Sequence, residues 1–348
     1  MDKPKADDWC ERVSRPCRKR HGGAVAAFVT PDEASFQSYG ELSRDRPAPP
    51  DENTLFEIGS ITKVFTAILL AKLSLDGGIG LDTPVREHLP GFAYLPDWIT
   101  PRALSAHSSG LPRIPDGVEI ADTGNPYKAI TEEALMEWFA NSKPFLEPKP
   151  GAFSYSNLGA GLLGLALGRA HGTDYRTALM REVLEPLGLD DTRIDLKAEQ
   201  IQRLAPPHKS FGRLTPPWDF DALAGCGALK STARDLAKFS QAVLAAPRNE
   251  GPLADAIRLT FEIQTPGKKD FIPDACLGWQ RLKDKSSGTP VYTHDGGTGG
   301  SSSTLFVCPQ AQFALLALAN TSHGIIPTIK LVMSNPAGML GEIIAESA

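Results

Sequence analysis

The stretch NTLFEIGSITKVFTAILLAKLSLDGG, residues 53–78, carries the strongest fold signal in the chain. It starts with a short apolar segment, passes through Ser60 and continues as a long, mostly apolar run. That run contains no proline or glycine until Gly77 and Gly78, which are residues that commonly end helices. We therefore predict a buried helix that starts at Ser60 and ends near Asp76.

Apolar segments bounded by turn residues lie on both sides of this helix, and they are typical of β-strands. The predicted strands are Gly22–Thr30, Ser35–Leu42, Leu277–Leu282, Pro290–His294, Ser301–Val307 and Phe313–Asn320. Residues 79–220 instead carry helical patterns joined by loops rich in proline and glycine. Helices are predicted there from Thr131, Asn157 and Tyr175, and an amphipathic helix follows over Ser231–Ala245.

This order of elements predicts an α+β fold in which strands from both ends of the chain share one largely antiparallel sheet flanked by helices. Residues 1–78 and 221–348 would form a split α/β lobe. Residues 79–220 would form a mainly helical lobe inserted into it. We expect the functional side chains to meet in the cleft between the two lobes.

Ser60 and Lys63 lie three residues apart at the start of the predicted helix, so their side chains share one face. Serine is a weak nucleophile that needs a neighbouring base. A buried lysine can serve because desolvation lowers the pKa of an amine. Backbone N–H groups at a helix start can also stabilise developing negative charge. The spacing alone equally fits a helix-capping serine followed by an exposed lysine.

A second short pattern, Tyr155-Ser156-Asn157, stands at the start of another predicted helix. A tyrosine beside a cation can transfer protons, because the positive charge lowers the pKa of a phenol. An asparagine offers both a donor and an acceptor, which suits it to hold a lysine and a substrate carbonyl. The pattern also fits an N-cap asparagine next to a tyrosine that only packs.

The third pattern is His294-Asp295-Gly296-Gly297, at the end of a predicted strand. Glycines at a strand end let the backbone approach a ligand closely. The N–H of Gly297 is therefore a candidate oxyanion donor, opposite the N–H of Ser60. The spacing His-x-Gly also occurs at His21, so the strand and the glycines that follow are what favour residues 294–297.

Taken in this order, the three patterns resemble the serine β-lactamase and penicillin-binding protein family, which carries S-x-x-K, S-D-N and K-T-G motifs. The Y-x-N form of the second motif is closer to the branch of class C β-lactamases, DD-carboxypeptidases and family VIII carboxylesterases. Further similar segments are LDTPV (81–85), AHSSGLP (106–112) and LKSTARDL (229–236). The resemblance implies a β-lactamase-like α/β sandwich with an inserted all-α lobe.

The resemblance also implies residue roles. Ser60 would be the nucleophile, and Lys63 and Tyr155 would transfer its proton. Asn157 would orient the lysine and the substrate, while the N–H groups of Ser60 and Gly297 would form the oxyanion hole. The implied substrate-binding positions are Ser60, Asn157, His294, Gly296 and Gly297.

One position departs from the class C β-lactamases, which usually carry a lysine where this chain has His294. A histidine is mostly neutral at pH 7, so it does not supply a permanent positive charge for a substrate carboxylate. We favour hydrolysis of β-lactam amides, small carboxylic esters or both. A D-amino-acid peptidase or DD-carboxypeptidase stays open. So does a non-catalytic penicillin-binding or sensor module, although Ser60, Lys63 and Tyr155 together argue against it.

The composition argues against several other classes of function. The net charge is −5 and the longest basic run is Arg18-Lys19-Arg20, so we expect no nucleic-acid partner. No apolar run reaches the roughly 18 residues of a membrane span, and the amino terminus as given is too polar for a signal peptide. The cysteines and histidines form no ligand cluster, so we expect no metal and no cofactor. The expected partner is a small-molecule substrate; compartment and oligomeric state stay open.

Overall fold

The predicted helix forms, but Ser60 lies in the turn that introduces it. A 3-10 turn spans Gly59–Ile61, and helix α1 follows over Thr62–Leu75. Every residue from Thr62 to Ala71 is buried, which explains why this segment is apolar on all sides. The structure is a computed structural model that describes residues 7–8, 10–12, 22–92, 94–116, 124–141, 152–209, 212–267, 273–284, 287–322 and 339–347.

Seven strands form one antiparallel sheet in the order β2-β1-β11-β10-β9-β8-β7. Two short two-stranded pairs, β3-β6 and β4-β5, stand apart from it. The strands are β1 Gly23–Val29, β2 Ala34–Gly40, β3 Leu55–Glu57, β4 His208–Lys209, β5 Arg213–Leu214, β6 Lys230–Thr232, β7 Asp274–Ala275, β8 Gln280–Lys283, β9 Pro290–Gly297, β10 Ser302–Cys308 and β11 Phe313–Ala319.

The large sheet joins the two ends of the chain. Strand β1 pairs with β11, in a register that sets Ala24 opposite Ala319. One face of the sheet packs on the helix Ala233–Ala245 and belongs to the main hydrophobic core, which also contains α1. The other face packs on Cys10 and on the carboxyl-terminal helix Met339–Ser347, in a second core cluster. The predicted α+β fold, with one antiparallel sheet flanked by helices, is confirmed.

Helices are the main regular structure in the described chain between the two groups of sheet strands. After α1 they are α2 Pro101–Ser105, α3 Glu132–Asn141, α4 Asn157–Ala170, α5 Tyr175–Leu179, α6 Ala198–Ile201, α7 Ala233–Ala245, α8 Pro252–Thr260 and α9 Met339–Ser347. Helix α5 continues as a π-helical turn, Met180–Leu184, and a 3-10 turn spans Ala224–Cys226. The division into lobes at residues 78/79 and 220/221 stays a prediction. None of the helices described here is long and apolar enough to cross a membrane.

Three predicted boundaries were wrong. Ser231 belongs to β6 and pairs with Phe56, so α7 starts only at Ala233, after Thr232 has capped it. The predicted strand Leu277–Leu282 is interrupted, because residues 276–279 form the turn between β7 and β8. Strand β9 runs on to Gly297 instead of ending at residue 294, since its glycines still pair with β10.

Candidate active site

A cavity of about 360 Å³ opens where α1, α4 and β9 approach one another. We call Ser60, Lys63, Tyr155 and Asn157 the helical side of this pocket, and residues 294–297 the strand side. The residues that line the cavity are Ser60, Arg113, Tyr127, Tyr155, Asn157, Trp218, Gln280, His294, Asp295, Gly296 and Gly297.

Three oxygen atoms surround the side-chain nitrogen of Lys63, which is only 3% exposed. Nζ donates to Ser60 Oγ at 3.0 Å, to Asn157 Oδ1 at 2.8 Å and to the Cys226 carbonyl at 2.7 Å. A neutral amine has two N–H donors and one lone pair. Because Asn157 Oδ1 and the Cys226 carbonyl can only accept, a neutral Lys63 would keep its lone pair for the Ser60 hydroxyl. The alternative of an exposed lysine is wrong.

The Cys226 carbonyl reaches Lys63 because α4 packs closely on the turn Ala224–Cys226. A Cβ on Gly164 would lie 3.0 Å from the Cα of Gly225. A side chain at either position would therefore force the helix or the turn to shift. The glycines of α4 therefore determine how closely the turn approaches the helix. They thereby position the Cys226 carbonyl in the site.

Tyr155 lies beside the lysine, with its ring centroid 4.9 Å from Lys63 Nζ. Its ring also packs on His107 at a centroid distance of 4.4 Å. His107 Nδ1 accepts the backbone N–H of Ser156 at 3.1 Å. Burial, and then the charge of Lys63, lowers the pKa of His107 well below its ordinary value, so the ring is neutral. Among the described residues the Tyr155 hydroxyl makes no hydrogen bond to Ser60 or Lys63, so its proton-transfer role stays a prediction.

Asn157 bridges the lysine and a tyrosine that the sequence did not single out. The N-cap of α4 is Ser156, whose Oγ accepts from the N–H of Gly159 at 2.8 Å. The side chain of Asn157 is therefore free to accept from Lys63 and to donate, through Nδ2, to the Tyr127 hydroxyl at 2.6 Å. Burial raises the pKa of Tyr127, so this phenol stays protonated at neutral pH. The alternative of an N-cap asparagine is wrong.

On the strand side of the pocket, the side chain of His294 is uncharged. Its Nδ1 donates to the carbonyl of Asp295 at 2.7 Å. Because a carbonyl can only accept, the proton is on Nδ1 and Nε2 carries a lone pair. Burial, and then the charge of Lys63, lowers the pKa of His294 to about 3. His294 therefore offers the pocket an acceptor and no positive charge.

The end of β9 lies directly against the backbone that leads into Ser60. A Cβ on Gly296 would lie 1.9 Å from the carbonyl oxygen of Ile58. A Cβ on Gly59 would lie 2.6 Å from the backbone nitrogen of Gly297, and Gly59 has a φ of +49°. Only glycine tolerates both constraints. The Gly297 nitrogen is thereby held beside the peptide that precedes Ser60, while the oxyanion role of the two N–H groups stays a prediction.

A buried carboxylate, that of Glu57, supports the contact between the end of β9 and the backbone before Ser60. Glu57 is 3% exposed, and its Oε1 accepts the backbone N–H of Trp218 at 2.7 Å. Its Oε2 accepts from the hydroxyls of Thr298 at 2.9 Å and Ser301 at 3.1 Å. Burial raises the pKa of Glu57, and the Trp218 N–H is the strongest opposing influence. Glu57 thus links β3, the Trp218 loop and the turn after β9.

The structure gathers every predicted site residue around one pocket. It adds residues that no local pattern had marked, of which Arg113 and Tyr127 line the cavity. Tyr127 and Trp218 pack ring against ring at a centroid distance of 5.2 Å. These residues lie on loops far apart in the chain, and a short motif does not report such contacts. Within the described ranges no three His, Cys, Asp or Glu side chains are grouped to hold a metal ion.

Comparison with known proteins gives one matching family model, which is described as Beta-lactamase and covers residues 11–327. The chain is 26% identical to the D-alanyl-D-alanine-carboxypeptidase/endopeptidase AmpH of Escherichia coli strain K12, over 86% of this chain and 80% of that protein. It is 29% identical to Penicillin-binding protein 4 of Amycolatopsis lactamdurans, over 90% and 84%. It is 28% identical to a beta-lactamase of Pseudomonas fluorescens, over 68% and 64%.

Two solved structures share the fold. The beta-lactamase from Sulfitobacter sp. EE-36 superposes with a TM-score of 0.79 at 22% identity, and the match covers 94% of this chain and 99% of that one. A class C beta-lactamase from Rhodobacter sphaeroides gives a TM-score of 0.75 at 22% identity, over 94% and 98%. Both matches span nearly the whole chain, so the likeness extends to the complete architecture.

Proposed function

Because the chain belongs to the Beta-lactamase family, we propose that it is a serine hydrolase that forms an acyl-enzyme on Ser60. Its substrates would be β-lactam amides, small carboxylic esters or both. One observation carries the proposal: the buried Lys63 nitrogen contacts Ser60 Oγ and two obligate acceptors. That arrangement is suited to removing the hydroxyl proton.

In the acylation step, Ser60 Oγ attacks the substrate carbonyl carbon and forms a new C–O bond. Its proton passes to Lys63, 3.0 Å away. The C–N bond of a β-lactam, or the C–O bond of an ester, then breaks. The departing nitrogen or oxygen takes up the proton, with Tyr155 as the relay, since its ring lies against the lysine.

The negative charge that develops on the carbonyl oxygen would be stabilised by the N–H groups of Ser60 and Gly297. The close approach of Gly59 and Gly297 supports this assignment. In the second step a water molecule attacks the acyl carbon. It gives one proton to the Lys63–Tyr155 pair, the ester bond to Ser60 breaks, and Ser60 recovers its proton as the carboxylic acid leaves.

The second candidate is a D-amino-acid peptidase or DD-carboxypeptidase. The similarity to AmpH and to Penicillin-binding protein 4 favours it, since both matches cover at least 80% of each partner. The chemistry at Ser60 would be the same, with a peptide nitrogen as leaving group. The third candidate, a non-catalytic module, is disfavoured by the hydrogen bond between Lys63 and Ser60.

Intact-mass spectrometry tests the proposal. The protein is mixed separately with benzylpenicillin, a p-nitrophenyl ester and a peptide ending in D-alanyl-D-alanine, and both adducts and products are followed. We expect a transient acyl adduct and released product with at least one of the first two donors. Ser60→Ala should abolish both signals. The matched control is Ser74→Ala, a serine on the same helix outside the pocket, which should behave like the wild type.

The other outcomes separate the alternatives. Turnover of the D-alanyl peptide alone supports the peptidase. A persistent penicillin adduct without product supports a penicillin-binding module. Absence of an adduct with every donor, or unchanged activity in Ser60→Ala, overturns the mechanism.

A further inference from the structure

The strand side of the pocket, residues 294–297, carries no cationic side chain. The ring of His294 is neutral and presents an acceptor. Asp295 alternates with His294 along β9, so its carboxylate points to the opposite face of the sheet. There it accepts from Thr304 Oγ1 at 2.5 Å.

The side-chain nitrogen of Lys63 is not available to a substrate anion either. It is buried, and oxygen atoms of Ser60, Asn157 and Cys226 already surround it. A substrate carboxylate would have to displace one of them and enter the core.

Arg113 lies at the edge of the same pocket. Unlike Lys63, it is neither buried nor already hydrogen-bonded through its side chain to the described residues. Its side chain is exposed, and in the part of the chain that the structure describes its guanidinium makes no hydrogen bond or ion pair. Its Cζ lies 5.2 Å from the centroid of the Tyr155 ring. Its backbone carbonyl accepts the N–H groups of Asn157 at 2.9 Å and Leu158 at 3.1 Å.

These contacts hold the cation next to the reacting groups while leaving its donors free. The backbone bonds fix Arg113 to the first turn of α4, and stacking on Tyr155 directs the guanidinium along the pocket edge. A planar guanidinium can donate two parallel hydrogen bonds to a carboxylate.

We infer that Arg113 binds a carboxylate of the substrate, and that it makes the site selective for acyl donors that carry one. The inference rests on the proposed function, since it assigns a substrate group to that same pocket. The carboxylate is held from the helical side, not from the strand side.

Equilibrium binding tests the inference without any turnover. Benzylpenicillin and its methyl ester differ at one carboxyl group, which is charged in the acid and is neutral and methylated in the ester. Both are titrated by calorimetry into Ser60→Ala. We expect the acid to bind about tenfold more tightly than the ester, as for a hydrogen-bonded charge pair near the surface. Adding Arg113→Gln to Ser60→Ala should bring the ratio of the two dissociation constants close to one, because only the binding of the acid is weakened. Arg113→Lys should retain part of the preference, because the charge stays and the paired donors are lost.

Arg213→Gln is the matched control, an exposed arginine outside the pocket lining, and it should leave the ratio unchanged. If the ratio of the two dissociation constants is unchanged by Arg113→Gln, the inference is overturned. So does an equal loss for both ligands, which would assign Arg113 to the support of Tyr155, and so does a lack of binding by either ligand.

The two proposals can fail separately. An acyl adduct on the wild type with no charge preference in Ser60→Ala keeps the hydrolase and removes the role of Arg113. A charge preference without any adduct keeps the role of Arg113 and removes the hydrolase.

Discussion

The two sides of the pocket are built in different ways. On the helical side the side chains of Ser60, Lys63 and Asn157 hydrogen-bond to one another, and they come from two helix starts. On the strand side the contribution is mainly backbone, and two of the four residues are glycines. Within the described residues, the neutral ring of His294 hydrogen-bonds only to the adjacent carbonyl.

This difference shows which contacts position the residues of each side. The helical side is positioned by its own side chains, so its residues form recognisable short motifs. The strand side is positioned by parts of the chain outside its motif: the Ile58 carbonyl against Gly296, and Glu57 beneath the turn that contains Thr298. Substitutions on the helical side should change the reaction rate more than the stability of the fold. Substitutions on the strand side should change stability more than the reaction rate.

The largest expected effect is on the helical side. Lys63→Met keeps the buried volume and removes the proposed proton acceptor. We expect the acylation rate to fall about a thousandfold, as is typical when a general base is lost. The thermal midpoint should fall modestly, because Asn157 Oδ1 and the Cys226 carbonyl lose the donor that Lys63 supplies. Stopped-flow acylation and a thermal melt measure the two quantities.

Lys72→Met on the same helix is the control, since Lys72 lies outside the pocket and pairs with Asp76. Its acylation rate should equal that of the wild type. A Lys63→Met protein that acylates normally would contradict the division between the two sides.

The second prediction concerns the strand side. Gly296→Ala places a Cβ 1.9 Å from the Ile58 carbonyl oxygen, so the strand must shift. We expect the free energy of unfolding in urea to fall by about 3 kcal/mol. In Gly297→Ala the nearest atom lies 3.9 Å from the new Cβ, and stability should stay within about 0.5 kcal/mol of the wild type. Equal stabilities for the two variants would show that the strand does not press on residue 58.

The smallest effect is on pH dependence. The pKa of His294 is lowered to about 3 in the folded protein, whereas an unfolded histidine titrates near 6.5. The unfolded chain therefore binds the extra proton first, and stability falls as the pH drops below about 6.5. Between pH 7 and pH 5.5 this one residue should account for a loss of about 1 kcal/mol.

His294→Gln should remove that part of the loss. Urea denaturation at the two pH values measures it, and the pH difference should be about 1 kcal/mol smaller in the variant than in the wild type. His107, whose pKa is also lowered, keeps its share in both proteins. An unchanged pH dependence would mean that His294 is already charged in the folded state.

Much of the fold was predictable because its main elements are long and periodic. The strand Phe313–Ala319 is buried throughout, and its predicted span extended only one residue further. Strands β3 and β6 were missed because three residues are too few for a period to be seen. Strand β9 was predicted too short, because glycines are poor strand formers and only pairing with β10 keeps them extended.

The site was predictable where its chemistry is local in sequence. Ser60 and Lys63 are three residues apart, and Tyr155 and Asn157 are two apart. The carbonyl of Cys226 could not be predicted, since any residue type can present a backbone acceptor. Glu57 gave a faint signal, as a lone charge between the buried Phe56 and Ile58. Its three partners come from distant loops, which no pattern around residue 57 reveals.

The pairing of β1 with β11 has a consequence for how the protein is made. Residues near position 24 leave the ribosome well before their partners near position 319 are translated. The loop between them is long, so its closure is costly and slow. Until then β1 exposes the edge that later pairs with β11, and such unpaired edges favour aggregation during synthesis.

The same pairing order decides what a truncated chain can do. A ribosome that stops before β9 releases a chain that contains Ser60, Lys63, Tyr155 and Asn157 but lacks the strand side of the pocket altogether. Such a chain also leaves β1 without β11. A premature stop late in the coding sequence therefore removes the strand side together with the pairing that joins the two ends of the chain.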